Sequence, residues 1–512
     1  MNGLRTILSA VALVCLAIFA RNTNAAPLKI HYLVRPVPST TATAASLRVV
    51  IHVSGVKGEK SVRFQMPVWS PGDYHVQNHG KYVQDVSSSS APEHINKVAH
   101  PDQNTWDVST DGFDVVTISY NVPNCPPGFF SENVAVTRTW AFYNGPSAYM
   151  YVVGHKEDPV TLQVDLPEAW KGIVTPLDPA KVIPGSKDAQ YSAPDYDTLA
   201  DSPVLMGEFV SREFTAAGRP HTIAFFRRHV GTDYDSFVPA LKKIAEEENR
   251  LMAGPPYSRY VFLFDVGGPG GGLEHLNCTR LSIRRGATGP SVAGGAAHEF
   301  FHLWNVKRVR PAVLGPFDYI NPPKTSNLWF SEGVTSYYGD LSCLRAGLVA
   351  ESEFLQGIAG TIGWFQGNAA RKRVTADQSS YRVWEANNSD GYGGLSYYMK
   401  GELIGLCLDL KIRGVTGNRA SLDTVMRDLM TRHGLPKPGF PEDGIRDACI
   451  RAGGAQLGPF YDLVARSTEE MPFAECLRYV GLVINSRGIE RDDSASPVAT
   501  QLRRSWLTGQ PS

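Results

Sequence analysis

The chain has 512 residues, 43% of them hydrophobic, which is enough for a large core and about two to four domains. That balance excludes a disordered or collagen-like chain. Lys plus Arg and Asp plus Glu number 50 each, so no charge excess holds the protein on nucleic acid or an anionic membrane, and a partner must be read locally, in a pocket.

The first residues have the order of a secretory leader. Arg5 precedes an apolar run from Ile7 to Ala20, and "NTNAAP" supplies small residues for cleavage after Ala25 or Ala26. The run is shorter than the ~20 residues that span a bilayer. Residues 1–26 are therefore expected to be a signal peptide, and the mature protein to be periplasmic or secreted with no transmembrane segment. Loss of Cys15 with the leader leaves Cys125, Cys278, Cys343, Cys407, Cys449 and Cys476. None has C-x-x-C spacing, and their order does not choose a pairing.

From Pro27 to about Gln190, short runs alternate apolar and polar residues. Leu47, Val49, Ile51 and Val53 form one; Val62, Phe64, Met66 and Val68 another; Val116, Ile118, Tyr120 and Val122 a third; Val160, Leu162, Val164 and Leu166 a fourth. Period two, with turn-rich segments such as "SPGD" between runs, predicts an antiparallel β-rich domain over 27–190. The stretch Trp69 to Tyr74 reads as a structural turn.

The pattern then changes. "YDSFVPALKKIAEEENRLMAGPP" predicts a helix capped at Asp235 or Ser236, with Phe237, Leu241, Ile244 and Leu251 near one face. "YVFLFDVGG" is short enough for a buried strand, and the Gly-rich "GGPGGGLEH" and a further strand in "TRLSIRR" follow. Residues 191–350 read as an α+β core. Residues 351–490 are almost wholly helical, with "KGELIGLCLDLKIRG" and "SLDTVMRDLMTRHG" the clearest cases, and 491–512 read as a frayed polar tail.

Within "AAHEFFHLWNVKRVRP", His298 and His302 are four residues apart. On a helix both imidazoles leave one face and can bind one metal ion. Glu299 can reach a metal-activated water without being a ligand, take its proton and pass it to a leaving amine. A catalytic zinc needs a third protein ligand and an open position. Glu332 in "NLWFSEGVTSYY", on a second apolar helix, supplies the candidate. Ligand type favours zinc over cobalt or manganese. Lys307, Arg308 and Arg310 read as a solvated or salt-bridged face, and Asn305 as support for a ligand.

"HEFFHLWNVKRVRP", "LWFSEGVTSYY", "SYYMKGELIGLCLDLKIR", "GGLEH" and "MPVWSPGDY" together resemble the glycyl aminopeptidase family of zinc metallopeptidases, relatives of aminopeptidase N, over about residues 27 to 490. The resemblance implies a multidomain α+β protein. A β-rich N-terminal domain precedes a thermolysin-like catalytic domain, and a mostly helical C-terminal region completes the site. It implies one zinc ion per chain, held by His298, His302 and Glu332, with Glu299 as general base. Tyr398 matches the oxyanion-stabilising tyrosine of the wider group, with Tyr397 adjacent. Glu274, with Gly271 and Gly272, resembles the loop that binds the substrate's free α-amine, although His275 stands where that group has Asn. Family members usually carry a C-terminal PDZ domain, and the residues after "YVGLVINSRG" are too few for one.

The expected function is removal of N-terminal residues, small ones such as Gly or Ala by the resemblance, from peptides with a free N-terminus. A zinc endopeptidase with the same ligands is one alternative. A secreted, non-catalytic binding protein on a degenerate peptidase scaffold is the other.

Overall fold

Alternation becomes strand through the N-terminal part. Lys29–Val37 (β1), Ser46–Ser54 (β2), Val115–Pro123 (β3) and Val160–Val164 (β4) are the middle of an eight-stranded sheet. Leu47, Val49, Ile51 and Val53 are all fully buried, while their neighbours face outward. β2 pairs antiparallel with β1 and β3, placing Ile51 opposite Tyr32 and Ile118. The sheet is not wholly antiparallel, because β1 and β4 run parallel, with Ile30 opposite Val160. The computed structural model describes residues 27–510 except 42–43, 126–133, 171, 181–188, 228 and 387–390. The expected signal peptide lies outside the described residues.

Two four-stranded sheets complete this domain, and one of them moves its expected boundary. Val204–Gly207 pairs antiparallel with Trp140–Tyr143, so the domain runs past residue 190 to about 207. All four residues of that strand are buried, which leaves no alternation for a sequence to display.

Val210–Ala216 (β5), Arg219–Phe226 (β6), Tyr260–Val266 (β7), Gly272–His275 (β8) and Cys278–Ile283 (β9) form the catalytic sheet, in the order β5-β6-β7-β9-β8. β6, β7 and β9 are parallel, and β8 is the antiparallel edge strand. Phe237–Leu251 (α1) buries Phe237, Leu241, Ile244 and Leu251 as its period requires. Ser236 is its N-cap residue, as expected, but makes no side-chain cap bond; the side-chain cap belongs to the short 3₁₀ turn before it, where Asp233 Oδ1 accepts the Ser236 N–H at 3.3 Å. Ala293–Phe301 (α2), Thr335–Arg345 (α3) and Tyr397–Thr416 (α4) stack beside the sheet around Phe300, Trp304, Trp329 and Tyr338, all fully buried.

The tail is ordered where fraying was expected. Pro497–Thr508 is a helix (α5), N-capped by Ser496 Oγ, which accepts the Ala499 N–H at 3.1 Å. Trp506 is fully buried, and its indole N–H donates to the Tyr337 hydroxyl at 2.8 Å. Arg345 also donates to the Trp506 carbonyl, at 2.8 Å. Ala499, Leu502 and Leu507 are buried on the same helix, so an apolar face led by Trp506 outweighs the polar composition around it, burial of an aromatic of this size contributing on the order of 3 kcal/mol. Among the described residues no helix is long and apolar enough to cross a membrane. The six cysteines from Cys125 to Cys476 are buried free thiols.

Two buried histidines give the fold an acid limit. Burial pushes His79 down from 6.5 to about 3 and His221 to about 4, so both are neutral in the folded protein. Unfolded histidine takes up a proton near pH 6.5. Stability is therefore complete above that value and declines as pH falls toward the folded values. At pH 5 each residue costs about 2 kcal/mol by this linkage. The thermal midpoint is expected to drop between pH 7 and 5, and His79→Gln to flatten that drop.

Candidate metal and substrate site

α2 ends at Phe301, and His302 is its cap residue, still in the right-handed helical region, with its N–H on the His298 carbonyl at 3.3 Å. The two histidines therefore keep helical spacing. Their Nε2 atoms stand 3.0 Å apart. Each ring is fixed from behind: His302 Nδ1 lies 2.7 Å from the Asn305 carbonyl, and His298 Nδ1 lies 3.2 Å from Ser336 Oγ. The Asn305 side chain in turn donates to the Phe330 carbonyl at 2.8 Å and to Thr335 Oγ1 at 3.2 Å. The expected supporting role of Asn305 is thus carried by its backbone carbonyl as well as its amide.

Glu332 does not sit on an ordinary helix. Trp329–Val334 is a π-helical turn running into α3, a local widening that re-aims one side chain. Glu332 Oε2 comes to 3.2 Å from His302 Nε2 and 3.7 Å from His298 Nε2. The crossing with α4 is unusually close. A Cβ on Gly333 would stand 2.4 Å from the Gly401 Cα, so the two main chains touch there. That contact delivers the start of α4 to the metal residues. Tyr397 is fully buried, whereas Tyr398 is partly exposed and lies over His298, rings 6.3 Å apart at 24°.

Glu299 and Glu274 complete the cluster. Thr279 Oγ1 donates to Glu299 Oε2 at 3.4 Å, and a Cβ on Gly272 would stand 2.1 Å from Glu299 Oε1, so β8 presses on this carboxylate. Gly271 precedes β8, and its carbonyl accepts the Ser282 N–H at 3.0 Å. Glu274 is on β8, 4% exposed, with Oε1 buried and without a hydrogen-bond partner. Burial pushes Glu299 up to about 8 and Glu274 up to about 7, with neighbouring carboxylates adding and His302 opposing. Burial acts on Glu332 and His302 as well, but their mutual attraction outweighs it, holding Glu332 at about 2 and His302 at about 10.

These donors fit a divalent cation. Donor atoms of His298, His302 and Glu332 lie within 4.8 Å of one another, as do those of Glu274, Glu299 and His302. The first set is the better fit to zinc. It pairs two imidazole nitrogens, each held at its other ring atom, with a carboxylate whose Oε1 is buried and has no partner. Two imidazole nitrogens facing each other at 3.0 Å beside a buried carboxylate call for positive charge between them.

The basic cluster was expected as a solvated or salt-bridged face; Lys307 is salt-bridged, but it and Arg308 are buried. Lys307 Nζ pairs with Asp201 Oδ1 at 2.8 Å, and Arg308 donates to the Leu276, Leu303 and Pro256 carbonyls and to Asn277. The Arg310 guanidinium lies over the Phe317 ring at 5.3 Å. The sequence did not point to Asp201. It also meets His275 Nδ1 at 3.1 Å and accepts the Leu276 N–H at 2.7 Å, pinning the end of β8 to the N-terminal domain. His275, the departure from the wider group's pattern, is held by this pair. The Ser70–Tyr74 turn also does more than was read in it, reaching Glu274 with Gly72.

The fold and these donors define a metallopeptidase of the two-histidine, one-glutamate class. The signature of the Peptidase M61 N-terminal domain matches residues 37–208, and that of M61 glycyl aminopeptidase matches residues 292–404, together more than half the chain. The chain belongs to the M61 glycyl aminopeptidase family of zinc metallopeptidases. It is similar to the crystal structure of an aminopeptidase N family protein from Idiomarina loihiensis, at 25% identity and TM-score 0.82, covering 89% of this chain and 79% of that one. An M1 zinc metallopeptidase from Deinococcus radiodurans shares the fold at 13% identity and TM-score 0.54, covering 87% and 96%. The same Deinococcus enzyme has been solved as a mutant bound to a Tyr-Ser-Ala substrate. No curated protein matches the chain significantly by sequence.

Proposed function

We propose that the protein is an exported zinc aminopeptidase that removes N-terminal residues, small ones such as glycine and alanine, from peptides. The observation that carries this reading is Glu274: a buried carboxylate with one oxygen unpartnered, within 4.8 Å of donor atoms of Glu299 and His302. A free α-ammonium is a partner of the right charge and size, and a charge-assisted contact in a buried site is strong. The leader-like residues 1–26 support export.

Zinc on His298, His302 and Glu332 would supply a Lewis acid for the scissile carbonyl and acidify a water. Glu299 accepts a proton from the attacking water at its carboxylate and returns it to the leaving amine. The Tyr398 phenol donates to the oxyanion that develops on the carbonyl. Glu274 holds the N-terminus, which fixes the cleaved bond as the first. Tyr398→Phe is expected to lower kcat by about 10²- to 10³-fold with little change in KM, as loss of a hydrogen bond made mainly in the transition state does.

The deciding experiment compares Gly- and Ala-4-nitroanilide with their N-acetylated counterparts on zinc-loaded protein. Turnover confined to the free amines supports the proposal. Cleavage of internal bonds in N-blocked peptides favours an endopeptidase, and bound zinc with no turnover favours a binding protein.

A further inference from the structure

We propose, on the reading of Glu274 as the amine anchor, that the Ser70–Tyr74 turn of the N-terminal domain completes the amine subsite, with Gly72 as the positioning residue that fixes where the Glu274 carboxylate stands. Gly72 has φ +96°, and a Cβ there would stand 2.6 Å from Glu274 Oε1, 2.7 Å from Oε2 and 2.8 Å from Leu273 Cδ1. Only glycine lets the main chain lie against both carboxylate oxygens at this φ. The space between turn and carboxylate, bounded by Trp69, Pro71, Tyr74, Lys307, Arg310 and Leu314 among others, is about 10 Å³, and none of His298, His302 and Glu332 borders it. That is at the lower limit for a single water, so the carboxylate has nowhere to retreat. Donor atoms of Glu299 and His302 lie within 4.8 Å of it.

The turn is itself braced. Tyr74 belongs to the catalytic core and not to the core of the domain whose chain supplies it. Its ring and that of Trp69 both pack edge-on against Trp384, at 6.1 and 5.4 Å. Trp69 Nε1 donates to the Asp318 carbonyl at 2.8 Å, and Ser70 Oγ lies 3.1 Å from His79 Nε2. The turn thus backs the carboxylate as a rigid stop, and the ligand class it serves is a primary α-ammonium at a set distance from the metal donors.

The test measures KM, kcat, zinc content and thermal midpoint for the wild type, Gly72→Ala, Glu274→Asp and the double variant, on Ala-4-nitroanilide. Gly72→Ala is expected to raise KM about tenfold or more while kcat stays within about threefold and zinc is unchanged, the mark of lost substrate binding. Glu274→Asp, one methylene shorter, relieves the collision with the carboxylate but not the contact with Leu273 Cδ1 or the positive φ, so the double variant is expected to return to about the KM of Glu274→Asp alone while its thermal midpoint stays lowered. A purely structural role for Gly72 gives no such rescue. An unchanged KM in Gly72→Ala, or a raised KM that Glu274→Asp leaves raised, overturns the proposal. If Gly72→Ala does not fold, Gly72→Ala/Glu274→Ala is expected to recover folded protein and Gly72→Ala/Leu273→Ala is not; recovery by the Leu273 change alone, or by neither, counts against the proposal. Glu274→Gln separates the two readings. If it leaves the preference for free over acetylated amines intact, the anchor reading falls and the proposal with it. If it abolishes that preference while the Gly72→Ala KM is normal, the stop alone is wrong.

Discussion

Glu299→Ala is expected to keep one zinc per chain and to lose at least about 10³-fold in kcat, within the range that removal of a positioned general base produces. Thr279 and the main chain of β8 hold this carboxylate in place. Neither contact needs the charge, so the variant has no reason to unfold. Zinc content is the informative control, because Glu274, Glu299 and His302 also converge within 4.8 Å. If the zinc leaves with Glu299, the ion sits in that second set and the assignment of Glu299 as base is wrong. If zinc stays and turnover falls by less than ~10², another group takes the water's proton.

Glu332→Ala should remove the metal itself. The two histidines would remain at 3.0 Å without the carboxylate that completes their set, and a metal would be left with the two imidazoles or with the weaker-fitting set of Glu274, Glu299 and His302. Zinc affinity is expected to fall well beyond the ~10- to 100-fold that loss of an outer support costs. Ser336→Ala, which removes only the partner of His298 Nδ1, provides that smaller reference effect. Zinc retention measured against a series of chelators ranks the two variants. Equal retention would mean that Glu332 is a packing residue and not a ligand. Activity should vanish in Glu332→Ala and return in part when zinc is added in excess.

Much of this site is legible in the sequence because helical spacing translates directly into geometry. His298, Glu299 and His302 share one short segment, and nothing outside it is needed to see that two imidazoles share a face. The family resemblance brings Glu332 and Tyr398 to the same point. The π-helical turn that aims Glu332 is not legible, because the extra residue leaves the apolar pattern of "NLWFSEGV" unchanged. The choice between Tyr397 and Tyr398 depends on where the π-helical turn and α4 cross, which is set by the Gly333–Gly401 contact and visible only in three dimensions. Gly72 is the extreme case. Its partner Glu274 belongs to the other domain, and the "SPGD" that marks a turn says nothing of what the turn touches. Two fold-level misreadings have different causes. Val204–Gly207 is buried on both faces and shows no alternation, whereas α5 buries Ala499, Leu502 and Trp506 at helical spacing inside a segment whose polar composition hides it.

α5 also bears on the order in which the molecule is finished. A ribosome delivers the chain from its N-terminus, so Trp506 emerges long after His298 and Glu332 have left the exit tunnel. Until it does, the Tyr337 hydroxyl on α3 has Asp409 but not the indole that completes its hydrogen bonding, and Arg345 has no Trp506 carbonyl to hold. α3 continues directly from the turn that bears Glu332. The helix that follows the third ligand therefore gains its last two hydrogen bonds only when the end of the chain has been made.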